Sequence, residues 1–230
     1  MININKLKVS YSKQMVVDID HYAFSTSCLH GIIGLNGAGK TSFFNALCQY
    51  INRPDEQVSY NGIALTRNDI GYLETVNYFY PNITGKEYLS LFKNNSNLIH
   101  QQALIELFEL PYNRVIESYS TGMKKKLAFI AVVCEDKPVY IFDEPFNGLD
   151  LESNKMLELI LRKMSQAQKT IFISSHILSP LVTLCSEIHL LRNKHFEKHY
   201  VPENFHAIHD DLFAGIEKKV DSLLGKQTTP

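Results

Sequence analysis

The stretch Gly34-Leu35-Asn36-Gly37-Ala38-Gly39-Lys40-Thr41 constrains this chain more than any other. It meets the pattern of a glycine, four residues and Gly-Lys-Ser/Thr, in which a loop of backbone N–H groups surrounds phosphates. The apolar run Cys28 to Ile33 before it reads as a short buried strand, and residues 42–50 behind it, with Phe43, Phe44, Ala46 and Leu47, read as a helix. Glycines at 34, 37 and 39 let the backbone fold back with its N–H groups inward, and the helix N-terminus adds partial positive charge. Asn36, Gly37, Ala38, Gly39 and Ser42 thus belong to a polyphosphate cradle. Lys40 would reach the β- and γ-phosphates, and the Thr41 hydroxyl would be a Mg²⁺ ligand. Alone, the loop specifies a nucleoside triphosphate and no reaction.

The 230 residues suffice for one large domain, or one domain with an inserted subdomain, and for a sizeable core. Net charge is −1, with no dominant basic stripe, which argues against nucleic-acid or anionic-membrane binding. Cys28, Cys48, Cys134 and Cys185 lie far apart in apolar stretches, which favours buried reduced thiols over disulfides or a zinc site. No signal peptide is legible, and no apolar run approaches the roughly 20 residues needed to cross a bilayer. Any membrane-spanning part of the machinery is therefore expected in another chain.

Residues 2–9 and 15–24, separated by Tyr11-Ser12-Lys13-Gln14, read as an antiparallel pair. Val58 to Ala64 contains an Asn-Gly turn signal and predicts a further hairpin of the same edge sheet, and Ile70 to Leu73 a short strand. Thr84-Gly85-Lys86-Glu87 is a capping box ahead of Tyr88, Leu89, Leu91 and Phe92 at helical spacing. A second helix is expected from about Leu98 to Phe108 and a third from near Ser120, which makes residues 77–133 a mainly helical insertion. Val139 to Glu144 reads as a strand buried on both faces and ending in two acids. Helix 152–166, strand Thr170 to Ser174, helix 177–185 and strand Ile188 to Leu191 complete an alternating α/β pattern. Beyond Arg192 periodicity weakens, and residues 196–230 read as a tail. In it, Phe213, Ile216, Val220, Leu223 and Leu224 form one stripe of a short helix after Asp210 and Asp211, stopped at Gly225. That stripe either caps the domain's own core or binds a partner.

Several stretches sit at spacings that resemble the nucleotide-binding subunit of the ATP-binding cassette (ABC) family. Asp143 ends an apolar strand and suits an indirect or water-mediated hold on Mg²⁺; Glu144 resembles the family's general base for the attacking water. Asn147-Gly148-Leu149-Asp150 is similar to the D-loop, which crosses the dimer interface, and Ser174-Ser175-His176 to the switch histidine that touches the γ-phosphate. Of nine histidines, only His176 sits at the C-terminal end of an expected core strand, where α/β ligands bind. Tyr119-Ser120-Thr121-Gly122-Met123 stands where the family signature, usually Leu-Ser-Gly-Gly-Gln, would be; Ser120 and Gly122 are retained and Thr121 and Met123 depart. A serine hydroxyl and N–H groups at a helix start suit a γ-phosphate presented by an opposite subunit, and also suit an ordinary N-cap. Tyr11 resembles the aromatic that stacks on adenine. The clearest departure is Thr75, where the Q-loop would place glutamine; Glu74 or a water bridged by Thr75 is expected to substitute.

The resemblance covers about residues 1–195 and implies an α/β phosphate-loop NTPase core with an antiparallel β edge subdomain and an inserted helical subdomain. It further implies ATP and Mg²⁺ as cofactors and a head-to-tail pair of cassettes, homodimer or heterodimer, with two ATP molecules between them. Glu144, His176 and Lys40 would be catalytic, and Tyr11, the loop, Ser120, Gly122 and Asp150 would bind nucleotide. The partner would be a separate transmembrane permease, placing the chain in the cytoplasm at the membrane. Tyr80-Pro81-Asn82-Ile83-Thr84 and the Tyr-Ser-x-Gly-Met signature look most like ATPases of drug, antibiotic or bacteriocin exporters and immunity transporters. Tyr78, Phe79, Tyr80, Tyr88 and Phe92 are candidates either for the permease-facing surface or for the insertion's own core. The alternatives are a soluble cassette ATPase acting on nucleic acid or ribosomes, a phosphate-loop kinase or GTPase, and an ATP-binding regulatory module with little turnover. The single cassette and net charge of −1 count against the first, and the missing Asn/Thr-Lys-x-Asp motif against a GTPase.

Overall fold

The structure, a computed structural model, describes residues 1–12, 14–51, 57–92 and 100–224. In chain order the elements are β1 (Ile2–Tyr11), β2 (Gln14–Phe24), β3 (Leu29–Ile33), α1 (Lys40–Leu47), β4 (Gln57–Tyr60), β5 (Ile63–Ala64) and β6 (Ile70–Leu73). Then come α2 (Gly85–Ser90), α3 (Gln101–Leu107), α4 (Thr121–Val133), β7 (Val139–Asp143), α5 (Leu151–Gln166), β8 (Thr170–Ser174) and α6 (Leu178–Leu184). The chain continues through β9 (Glu187–Arg192), β10 (His195–Tyr200), α7 (Ile208–Phe213) and α8 (Ile216–Leu224).

Two sheets result. One is antiparallel, in the order β2-β1-β4-β5; the other runs β10-β9-β3-β8-β7-β6 and is parallel except for β10. The expected hairpin forms around Asn61 and Gly62, both with positive φ (51° and 83°), the backbone that a two-residue turn requires. The central strands alternate between two cores. Tyr140 and Phe142, Ile171 and Ile173, and Ile188 and Leu190 face the helical side, whereas Val139 and Ile141, Phe172 and Leu191 face α1 and the antiparallel sheet. Both faces are thus apolar, as a buried parallel sheet demands.

The capping box at Thr84 is complete: its hydroxyl accepts from the Glu87 N–H, while Glu87 accepts from the Thr84 N–H at 2.7 Å. Within the helical segment the aromatic group divides. Phe79, Tyr88 and Phe92 pack together with ring centroids about 5 Å apart, and Tyr78 and Tyr80 stand exposed, edge to face. The expected helix start at Leu98 lies outside the described residues, which show α3 from Gln101.

The expected division at 195 does not match the sheet. β10 pairs with β9, and Phe196, Tyr200, Phe205, Ile208 and Leu212 enter the two cores. Sequence pattern missed β10 because His195-Phe196-Glu197-Lys198-His199-Tyr200 sits on an edge, where one apolar face suffices. The single tail helix is also corrected. Gly215, with φ +90°, separates α7 from α8, and the stripe residues Phe213, Ile216, Val220, Leu223 and Leu224 are all exposed, so they do not cap this core. The expected stop at Gly225 lies outside the described residues.

None of the four cysteines forms a disulfide, and three of them are buried. Between the two sheets lies a pair of buried imidazoles, His30 and His189. The Ser25 carbonyl can only accept, so His30 carries its proton on Nε2 (2.7 Å). Its Nδ1 then accepts from His189 Nε2–H (3.0 Å), and His189 Nδ1 accepts from the Tyr22 hydroxyl (2.8 Å). Burial holds both rings neutral, pushing His189 down to about 2.

Candidate nucleotide site

β3 delivers the chain to the phosphate loop at the C-terminal edge of the parallel sheet. A side chain at Gly34 would lie 2.5 Å from the Leu191 carbonyl oxygen, so the turn there admits only hydrogen. Gly37 and Gly39 take φ of 81° and 103°, and a Cβ on Gly37 would meet nothing within 4 Å, leaving that side open. The loop lines a cavity of about 420 Å³ with Tyr11, Val16, Thr75, Asp143 and Glu144. Asn36, Gly37, Ala38, Gly39, Lys40, Thr41 and Ser42 are all in that wall. Tyr11, at the end of β1, presents a half-exposed ring at the cavity.

Lys40 is buried, and its ammonium donates to the Gly34 carbonyl at 2.7 Å. Burial lowers its pKa, opposed by the charges of Glu144 and Asp143. Asp143, the last residue of β7, is 1% exposed and collects three hydroxyl donors. Thr41 Oγ1 (2.6 Å) and Thr75 Oγ1 (2.8 Å) donate to its Oδ2, and Ser174 Oγ donates to its Oδ1. A buried carboxylate held beside a phosphate cradle by Thr41 is a donor set of hard oxygens that fits Mg²⁺.

Glu144 follows the strand with φ 52°, a backbone that costs a residue with a side chain on the order of 1–3 kcal/mol. Its N–H is tied to Ser174 Oγ (2.9 Å), which fixes that turn to the neighbouring strand β8. The Glu144 carboxylate accepts from Asn147 Nδ2 (3.3 Å) and meets His176 Nδ1 at 2.9 Å. Glu144, His176 and Asn147 are therefore brought together. Motif reading names Ser174 and Asn147 without foreseeing their contacts with Asp143 and Glu144; only the strand register shows Ser174 opposite Asp143.

The signature and D-loop lie elsewhere. Ser120 is exposed and caps α4, its hydroxyl accepting from the Met123 N–H at 3.2 Å. A Cβ on Gly122 would come within 3.0 Å of the Gly148 carbonyl, so signature and D-loop pack on each other. Asp150 caps α5, accepting from the Ser153 N–H (2.8 Å) and hydroxyl (2.8 Å), which hold its carboxyl down to about 2. Ser120, Gly122 and Asp150 are all outside the wall of the phosphate cavity. Next to that cavity, a second one of about 360 Å³ joins Thr75, Thr121, Lys125, Asn147 and Gly148. Lys125, unnoticed in the sequence, is buried there with its ammonium 3.4 Å from the Thr75 carbonyl, and burial lowers its pKa. The Glu74 side of the expected substitution is corrected. Glu74 lines a different cavity with Tyr50, Arg67 and Tyr72, because alternation turns it away from Thr75.

A phosphate loop after β3, an acid pair at the end of β7, which β8 separates from β3, and a histidine on that acid define a nucleoside-triphosphate site. A family profile described as ABC transporter matches residues 19–147, more than half of the chain, and the chain belongs to that family. Among curated relatives it is 28% identical to the bacitracin transport ATP-binding protein BcrA of Enterococcus faecalis, over 85% of this chain and 67% of that one. It is also 28% identical to the putative ABC transporter ATP-binding protein AlbC of Bacillus subtilis, over 86% and 90% respectively. The fold is shared with a solved ATP-binding subunit of an ABC transporter, at TM-score 0.80 and 23% identity over 98% of this chain and 99% of that one. It is also shared with the dimeric cassette MJ0796 bound to ADP and Pi, at TM-score 0.74 and 16% identity over 88% and 99%. The chain is thus an ATP-binding subunit of the ABC transporter family. Among the described residues no helix is long and apolar enough to cross a membrane.

Proposed function

We propose that this chain hydrolyses ATP at sites shared between two cassettes and passes the resulting motion to a permease that exports its cargo. The observation that carries the reading is the separation of the two half-sites. Lys40, Asp143 and Glu144 surround one cavity, and exposed Ser120 lies outside it on another element. Tyr11 stacks on adenine, a contact worth about 1–3 kcal/mol by analogy with base stacking on aromatic side chains. The loop N–H groups and Lys40 hold the phosphates. Thr41 and Asp143 would hold Mg²⁺, which when bound neutralises phosphate charge. Glu144 takes the proton of the attacking water, and His176, 2.9 Å from it, reports whether the γ-phosphate is present. Ser120 and Gly122 of the opposite cassette close on that same phosphate.

Thr75 keeps part of the role of the missing glutamine, since its hydroxyl reaches the Asp143 carboxylate at 2.8 Å. Exposed Tyr78 and Tyr80, with Val76 and Leu91, supply an apolar surface for the permease, which holds the chain at the cytoplasmic face of the membrane. A cargo of the bacitracin kind is supported by the name of the relative BcrA, a bacitracin transport ATP-binding protein. An ATPase assay on the purified chain, with Glu144→Gln as control, tests the reading. Turnover that disappears in the variant supports it, and turnover equal in both refutes it.

A further inference from the structure

The strand register builds a second polar cluster at the end of the sheet remote from the phosphate loop. On β3, His30 stands near the start, four residues before Gly34 opens the loop. It pairs with Glu187 on β9; His189, two residues further along β9 and so on the same face, pairs with His199 on β10. Three strands thereby gather four donor atoms in one cluster, where the His189 and His199 rings stack with centroids 4.8 Å apart, so that the solvent-facing His199 ring turns to ligate. His30 Nδ1 and His189 Nε2 are 3.0 Å apart. Glu187 Oε2 lies 3.6 Å from the first, 3.8 Å from the second and 3.1 Å from His199 Nε2. Tetrahedral zinc with bonds of about 2.0 Å separates its ligands by about 3.3 Å, which these distances bracket.

We propose that His30 Nδ1, Glu187 Oε2, His189 Nε2 and His199 Nε2 form a site for one divalent first-row transition metal, with zinc the ion that suits the donors. Three imidazoles and a carboxylate select such ions over Mg²⁺ or Ca²⁺, which take oxygen. Each buried ring has its other nitrogen already oriented, His30 Nε2 by the Ser25 carbonyl and His189 Nδ1 by the Tyr22 hydroxyl. Ligating histidines use that same arrangement. On uptake the His189 proton leaves Nε2 for Nδ1, and the Tyr22 hydroxyl turns from donor to acceptor, so the ring stays neutral and hydrogen-bonded. Phe24, Phe172 and Phe196 pack around the two inner rings and keep water away. His199, 45% exposed, leaves a way in for the ion. Cys28 Sγ, 3.9 Å from the other carboxylate oxygen, Oε1, also has its sulfur within 4.8 Å of the His30 and Glu187 ligand atoms, and the proposal assigns it no metal bond.

The experiment uses the untagged chain, stripped with a chelator and titrated with zinc alone against a chromophoric competitor. The expected result is one zinc per chain and a Tm that rises with zinc and falls back on chelation. His199→Ala alters a solvent-facing side chain, and Glu187→Gln keeps shape; each should lower zinc affinity at least about tenfold while ATP affinity and circular dichroism stay as in the parent. Cobalt should give a tetrahedral visible spectrum without a thiolate charge-transfer band. Failure of the parent to take up stoichiometric zinc, unchanged affinity in both variants, or a thiolate band would each overturn the assignment.

Discussion

The phosphate-loop half and the signature half of this molecule differ in how much of a site each one makes alone. Around the loop the binding groups are already held. Lys40 and Asp143 are 8% and 1% exposed, and three hydroxyls fix the carboxylate before any ligand arrives. At the signature, Ser120 is exposed on a helix start, its hydroxyl spent on its own N-cap. The first half gathers its buried charges around one cavity; at the second, Ser120 and Gly122 offer a helix terminus and a glycine packed against Gly148. A buried, prearranged half binds one nucleotide weakly or strongly by itself, whereas an exposed half contributes only when another body carries a phosphate to it.

That contrast can be broken from either side. The largest effect is expected of Glu144→Gln, which removes the proton acceptor and keeps the shape; steady-state ATPase rates should fall by at least roughly 10² to 10⁴ while ATP binding persists. Next is Lys40→Ala. Loss of a charge-assisted contact of about 1.5–3 kcal/mol should weaken ATP binding roughly ten- to hundredfold in calorimetry, and unchanged affinity would remove the cradle from the account.

Ser120→Asp sharpens the contrast. Aspartate caps a helix as well as serine, so folding stability should hold within about 1 kcal/mol. The added charge would face the γ-phosphate, so ATP-dependent pairing should be lost with single-chain ATP affinity intact. The smallest effect belongs to Thr75→Gln. Since Thr75 already reaches Asp143 at 2.8 Å, hydrolysis should change little; a large gain in rate would show a natural site crippled by the threonine.

The phosphate cradle was legible because its chemistry is local: glycines, lysine and threonine at fixed spacing, between a strand and a helix. The acid pair and His176 were legible for the same reason, each ending an apolar strand. Ser174 was not, because its contact with Asp143 depends on β7 and β8 lying side by side in register. Nor was the histidine cluster, whose members are 159 residues apart in sequence at His30 and His189. Cysteine spacing gave no metal pattern, and register alone assembles the donors. β10 escaped because its polar residues follow edge exposure rather than alternation, and the break at Gly215 because a single glycine inside a helical stripe is a weak stop signal. Lys125 was hidden by its helix, where a run of three lysines reads as solvated surface; one of them turns inward against the Thr75 carbonyl.

The central claim is that one chain holds two incomplete sites that a second cassette completes. Light scattering on the Glu144→Gln protein, with and without ATP, measures this directly. The account predicts a shift from one chain to two on adding ATP, with two nucleotides retained per pair and no shift when Ser120→Asp is added. A mass that stays at one chain with ATP bound, or a pair that forms equally well with Ser120→Asp, would contradict it.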